Sequence, residues 1–159
     1  MARPNFLRFI NFWPPLLGAG IRVTRMDPDM KAVDVELRMH FWNRNYVGTH
    51  YGGSLYSVAD AFYMLMLMHH LGGDFIVWDK SASIRFRKPG RGTVRAEFRL
   101  SDQQIEEIRH ITTRQEKYEP TFLVEIKDSS GEVVASVEKL LYIRRKKAEQ
   151  PSNPASQPG

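Results

Sequence analysis

The sequence predicts an α+β fold in which a mostly antiparallel sheet covers one buried helix. Three observations lead there. Several stretches alternate apolar and polar residues, the mark of half-buried strands. One long helical stretch, about residues 53–71, is apolar nearly all round, so a folded chain must cover it on most sides. Strands and helix are segregated along the chain, and the last strands read as a hairpin. The 159 residues fit one domain, over 1–145, long enough for a sizeable core.

The elements follow in order. The segment MARPNFLRFINFWPPLLGAG reads as a short amphipathic helix over about 5–13, stopped by Pro14 and Pro15. Asn11 and the prolines interrupt its apolar run, which argues against a signal peptide. Residues 21–26 read as a strand and DPD as a turn. Residues 31–41 place Val33, Val35, Leu37 and Met39 on one face, with Asp34, Glu36, Arg38 and His40 on the other. WNRNYVGTHYGG is a loop that feeds the apolar helix, which Gly72-Gly73 ends. The run over 62–71 is too short to span a bilayer. Next comes a strand through Ile84 and Phe86, stopped at Pro89-Gly90, then TVRAEFRL with Val94, Ala96, Phe98 and Leu100 on one face. SDQQIEEIRHITTRQ opens with a capping signature, Ser101 or Asp102 before Glu106. TFLVEIKD and EVVASVEKLLYIRR flank SSG as a hairpin. Residues 146–159, rich in Pro, Ser, Asn and Gln, read as a disordered tail.

Composition narrows the function. Apolar residues make up 42% of the chain, and there is no cysteine. That excludes a disulfide framework, a thiol nucleophile and cysteine–zinc sites, and it fits a reducing, cytoplasmic location. The net charge of +5 suits nucleic acid or a phosphorylated ligand such as a nucleotide or coenzyme A. Part of it lies in RRKK at the start of the tail, so no nucleic-acid partner is expected. His69 and His70 suit the helix C-terminus and lack visible partners for a metal site, so none is expected.

The spacing of YGGSLYSVAD resembles the hotdog-fold thioesterase superfamily, close to the phenylacetate-pathway type, over roughly residues 11–144. The version NRNYVGTHYGGSLY resembles a branch distinct from the well-studied one. The resemblance implies a long central helix wrapped by a curved antiparallel sheet. The family motif runs Asn, Gly, then His-Gly-Gly, with an acid on the following helix. Here the matching residues are Asn43 or Asn45, Gly48, Gly52-Gly53 and Asp60. Tyr51 stands where the pattern has histidine, and His50 lies one position earlier. Either His50 serves through a shifted loop or the histidine role is absent.

Thioester hydrolysis needs a base or nucleophile and donors for a developing oxyanion. Glycines let backbone approach a ligand, and amides at a helix start carry partial positive charge. Gly53 and Ser54 are therefore the candidate oxyanion donors and Asp60 the candidate base, beside Tyr51 and Gly52. Gly53 and Asp60 are about 10 Å apart along a helix, too far to meet at one carbon. Two antiparallel helices from two subunits bring them together, so a site shared across a homodimer is expected, in a dimer or a dimer of dimers. RFRKPGRG offers Arg85, Arg87, Lys88 and Arg91 for coenzyme A phosphates, or as charges guarding an edge strand. Ser83 is a candidate for holding a water or the thioester. Met64, Met66 and Met68 read as core. The expected activity is acyl-CoA hydrolysis with no cofactor beyond the coenzyme A of the substrate. The rivals are a non-catalytic acyl-CoA or lipid-binding protein, a dehydratase and a nucleic-acid binder. A buried Asp60 that merely caps a loop or pairs with an arginine is the bland alternative.

Overall fold

A computed structural model describes residues 9–146. The expected tail over 146–159 lies almost wholly outside this segment, as do residues 5–8 of the expected first helix. The chain enters through a 3₁₀ turn, Ile10–Phe12, and helix α1, Pro14–Ala19. The two prolines start this helix rather than stop one. At the first helical positions the missing N–H costs nothing and the fixed φ is already helical. Gly20 ends α1 at φ 81, and a Cβ there would lie 2.3 Å from Asn43 Nδ2.

The strands are β1 (Ile21–Met26), β2 (Ala32–Arg38), β3 (Phe75–Phe86), β4 (Thr93–Arg99), β5 (Thr121–Lys127) and β6 (Val133–Arg145). They form one antiparallel sheet in the order β1-β2-β4-β5-β6-β3. The alternation in the sequence sets its inner face. Val33, Val35, Leu37, Val94, Phe98, Val137 and Leu141 are all at most 1% exposed. Strand β2 stops at Arg38, short of the expected 41, because Asn43 takes over the local polar groups. Its Nδ2 donates to the Arg38 carbonyl at 2.7 Å, and its Oδ1 accepts from the His40 amide at 2.6 Å.

The central helix is two helices, α2 (Gly52–Asp60) and α3 (Phe62–Leu71), interrupted at Ala61. Lys139 Nζ donates to the main-chain carbonyl of Asp60. A continuous helix would offer that oxygen to the Met64 amide, so an inserted side chain accounts for the break. Val58, Ala59, Phe62, Met66 and Leu67 pack into the sheet at 1% exposure or less. Val58, Phe62, Met66 and Leu67 each contribute about 1.5–3 kcal/mol of burial. Helix α4 (Asp102–Arg114) opens with a capping box, though Ser101 pairs with Gln104 rather than Glu106. The third helical position, not the fifth, reaches back to the cap.

Two irregularities shape the sheet. Strands β4 and β5 pair at Arg95↔Lys127 and Ala96↔Ile126 and then diverge. Tyr63 backs the gap, stacked on Phe122 at 4.4 Å and edge-on to Phe98 at 5.3 Å. Strand β3, 12 residues long, is an edge whose register with β6 shifts between Asp79 and Ser81. No helix among the described residues is long and apolar enough to cross a membrane.

Candidate functional site

The loop over 39–51 is built by its own polar residues. Asn45 Oδ1 accepts from the amides of Val47 (3.1 Å) and Thr49 (2.9 Å), while its Nδ2 donates to Thr49 Oγ1 at 2.7 Å and to the His50 carbonyl at 3.3 Å. This saturates the side chain, so Asn45 shapes the loop and holds no free group for chemistry. Asn43 is equally occupied, with Nδ2 also donating to the Ala19 carbonyl at 2.8 Å. Gly48 takes φ 75 at the tip, and Arg91 Nη1 donates to its carbonyl at 3.0 Å.

His50 is 3% exposed. Its Nε2 lies 2.9 Å from the Gly92 carbonyl and its main-chain N–H donates to the Gly90 carbonyl at 2.9 Å. With a carbonyl as partner, Nε2 carries the proton. Nδ1 is then a bare acceptor, buried and without a hydrogen-bond partner. Burial pushes the imidazole below its ordinary value, with the Gly92 carbonyl opposing. The ring therefore pins the turn over 89–92.

Helix α2 begins directly after this loop, with Tyr51 as its extended N-cap. The Ser54 amide donates to the Tyr51 carbonyl at 3.0 Å. This commits the Ser54 donor and leaves Gly52 and Gly53 as the first-turn amides to face a ligand. Gly52 lines a cavity of ≈ 450 Å³ with Asn45, His50, Leu55, Phe86, Arg87 and Lys88. A Cβ on Gly52 would lie 3.1 Å from Phe86 Cζ, so a side chain there would push into the cavity wall. Tyr51 is 61% exposed and its ring lies over Gly53.

The basic residues divide. Lys88 is tied to Asp128 at 2.6 Å and to Glu132, and the Lys88 ammonium, followed by the Ser130 hydroxyl, holds the Asp128 carboxyl far below the carboxylate range. Arg91 clamps Gly48. Arg87 lines the cavity and makes no ion pair among the described residues. Ser83 lies elsewhere, in a separate hollow of ≈ 280 Å³ with Ser81, Thr121 and Glu138.

Asp60 is not buried, as the bland reading supposed: its side chain is 54% exposed at the C-terminus of α2, and it is absent from the cavity lining. It belongs to a second cluster that sequence reasoning missed. Lys139, 1% exposed, places Nζ 2.9 Å from Asp79 Oδ2 and 3.4 Å from Asp60 Oδ1. Desolvation pushes the Asp79 carboxyl up, with Lys139 opposing, and its Oδ1 has no hydrogen-bond partner. Tyr56 sits beside both carboxylates, and burial together with their charge pushes its hydroxyl up. The signal for Lys139 was visible. It falls in phase with Val137, Leu141 and Ile143, a charge at an inward strand position.

An antiparallel sheet wrapped around one long helix, with a glycine pair opening that helix, defines the hotdog fold of the thioesterase superfamily. The chain belongs to the family described as Domain of unknown function (DUF4442), which matches residues 4–143. A Pseudomonas aeruginosa protein of unknown function, described as a probable thioesterase, is 26% identical to it. The TM-score is 0.77, with 92% of this chain and 99% of that chain covered. A Haemophilus influenzae thioesterase shares 11% identity at TM-score 0.65, covering 91% of this chain and 92% of that chain. The PaaI protein of the E. coli phenylacetic acid degradation operon shares 18% at TM-score 0.61, covering 90% and 91%. No curated protein matches the sequence.

Proposed function

We propose that the protein hydrolyses acyl-CoA thioesters at a site assembled from two copies of the chain. The observation that carries this reading is the separation within one chain. Gly52 and its first-turn amide line the ≈ 450 Å³ cavity, whereas Asp60 stands exposed outside it. A second copy packed antiparallel along the helix supplies the missing half. The unpaired 12-residue edge of β3, with Trp78 and Phe86 more than half exposed, is the natural contact surface.

In this reading the thioester carbonyl lies against the Gly52 and Gly53 amides of one subunit. Asp60 of the other takes a proton from water, which attacks the carbonyl carbon. The amides hold the negative oxygen of the tetrahedral intermediate, and its collapse expels the coenzyme A thiolate. Arg87 at the cavity contacts a phosphate of the nucleotide. Leu55 and Phe86 give the acyl group an apolar wall. No cofactor enters beyond the substrate's own coenzyme A.

A second reading, acyl-CoA binding without turnover, is favoured by Tyr51 in the histidine position and by His50 being spent on Gly92. Hydrolysis of acetyl-, octanoyl-, palmitoyl- and benzoyl-coenzyme A by the unsubstituted protein and by Asp60→Asn separates the two. Turnover lost in the variant supports the thioesterase. Binding of all four without turnover supports the binder.

A further inference from the structure

Lys139 is the buried cation that the hydrolytic reading leaves unused. It projects from β6 toward the central helix, between Val137 and Leu141 in phase, where neither neighbour is more than 0% exposed. A buried ammonium is unfavourable unless paired, and an apolar side chain of similar volume would fill the position without that cost. Asp79 supplies the nearer counter-ion, Oδ2 at 2.9 Å. The remaining contacts go to a single residue. Lys139 Nζ donates to the Asp60 carbonyl and lies 3.4 Å from Asp60 Oδ1. The first contact takes that carbonyl from the helical ladder at the point where α2 ends. The second draws the carboxylate toward the same ammonium. Asp79 pairs with Leu141 on the neighbouring strand, two positions from Lys139 and just before the register shift of β3.

We propose that Lys139 is a positioning residue for Asp60. It fixes both the main chain and the carboxylate of the residue assigned as base, and Asp79 anchors the ammonium that does so. This rests on the reading of Asp60 as base in thioester hydrolysis. The interruption at Ala61 is then part of the site, because the ammonium that takes the Asp60 carbonyl out of the helix also holds its carboxylate.

The test pairs Lys139→Met with Asp79→Asn, which removes the buried ammonium and its nearer carboxylate together and leaves only the Asp60 carboxylate, 54% exposed, to water. The pair is made alone and on top of Asp60→Asn, and kcat and KM are measured with the four acyl-coenzyme A thioesters above. If Lys139 acts through Asp60, the pair alone lowers kcat at least about tenfold with KM within about threefold. On top of Asp60→Asn it changes the residual rate less than about twofold. Equal fold-losses in both backgrounds, or a loss confined to KM, overturn the proposal. Amide hydrogen exchange at Met64 reads the main-chain contact without any turnover. The pair returns the Asp60 carbonyl to the helix, so the Met64 amide exchanges at least about tenfold more slowly than in the unsubstituted protein. Unchanged exchange overturns the proposal. Lys139→Gln, which keeps a donor, is expected to fall between the two in both readouts, and it stands in if the pair does not fold. If the unsubstituted protein hydrolyses none of the four thioesters, the thioesterase reading fails and the Met64 amide still decides the role of Lys139.

Discussion

The two ends of helix α2 use polar residues in opposite ways. At its start, Asn45, His50 and Arg91 spend their hydrogen-bonding groups on loop carbonyls and amides, and the donor that the helix itself brings to the cavity is the Gly52 backbone. At its end, one buried lysine gathers two carboxylates and leaves one of them exposed. The difference teaches that a motif marks where a site is built more reliably than which side chains act in it. Near the glycine pair, the Asn43, Asn45 and His50 side chains are held by loop contacts. The motif's exposed carboxylate is at the far end.

The contrast breaks most sharply at Asp60. Asp60→Asn should lower kcat for acyl-CoA hydrolysis about 10²–10⁴-fold, the range for losing a general base, with little change in melting temperature because the side chain is half exposed. Retained turnover would remove the functional end of the comparison. Lys139→Met alone should destabilise the fold by about 3–5 kcal/mol in chemical denaturation, since Asp79 is left half-buried without its partner. Adding Asp79→Asn should recover much of that loss.

The scaffold end predicts smaller effects. Asn45→Ala should cost about 2 kcal/mol of stability through the loop amides it strands, while kcat per folded molecule stays within about threefold. A large kcat loss at full stability would return Asn45 to the chemistry. Arg87→Ala should raise KM for coenzyme A thioesters about three- to tenfold, less at high salt, and leave kcat nearly unchanged. For His50, burial holds the folded value below the ordinary 6.5. Its contribution to stability is therefore full above pH 6.5 and is lost as pH falls through the folded value. His70, also pushed down by burial, has the same sign. Melting temperature followed downward from pH 7 should fall less steeply in His50→Gln than in the unsubstituted protein. An unchanged slope would mean that the ring accepts a proton in place.

Much of the fold was legible because burial follows period. Val33, Val35 and Leu37 alternate in sequence and lie inward in the sheet, and the apolar stretch after Gly53 is the core helix. What was illegible depends on contacts distant in sequence. The helix break at Ala61 comes from Lys139, 79 positions beyond the Asp60 carbonyl that it holds. The exposure of Asp60 depends on which face of α2 the sheet leaves open. The prolines were misread for a local reason: Pro14 and Pro15 mark a helix boundary in either direction, and only the chain beyond them decides which. At the site, the Gly52-Gly53 position was readable from the motif. The commitment of Ser54, Asn45, Lys88 and Arg91 to neighbours was not, since each requires knowing who the neighbour is.

Strand β3 has one further consequence, for the order of synthesis. It is made third among the strands, yet its sheet partner is β6, made last. A chain growing from its N-terminus therefore carries Phe75–Phe86 with no strand to pair with until Val133–Arg145 has emerged. Lys139 lies on that same final strand. The interval in which β3 is most open to capture by a chaperone, or by another nascent chain, closes with the segment that also brings the lysine to Asp60.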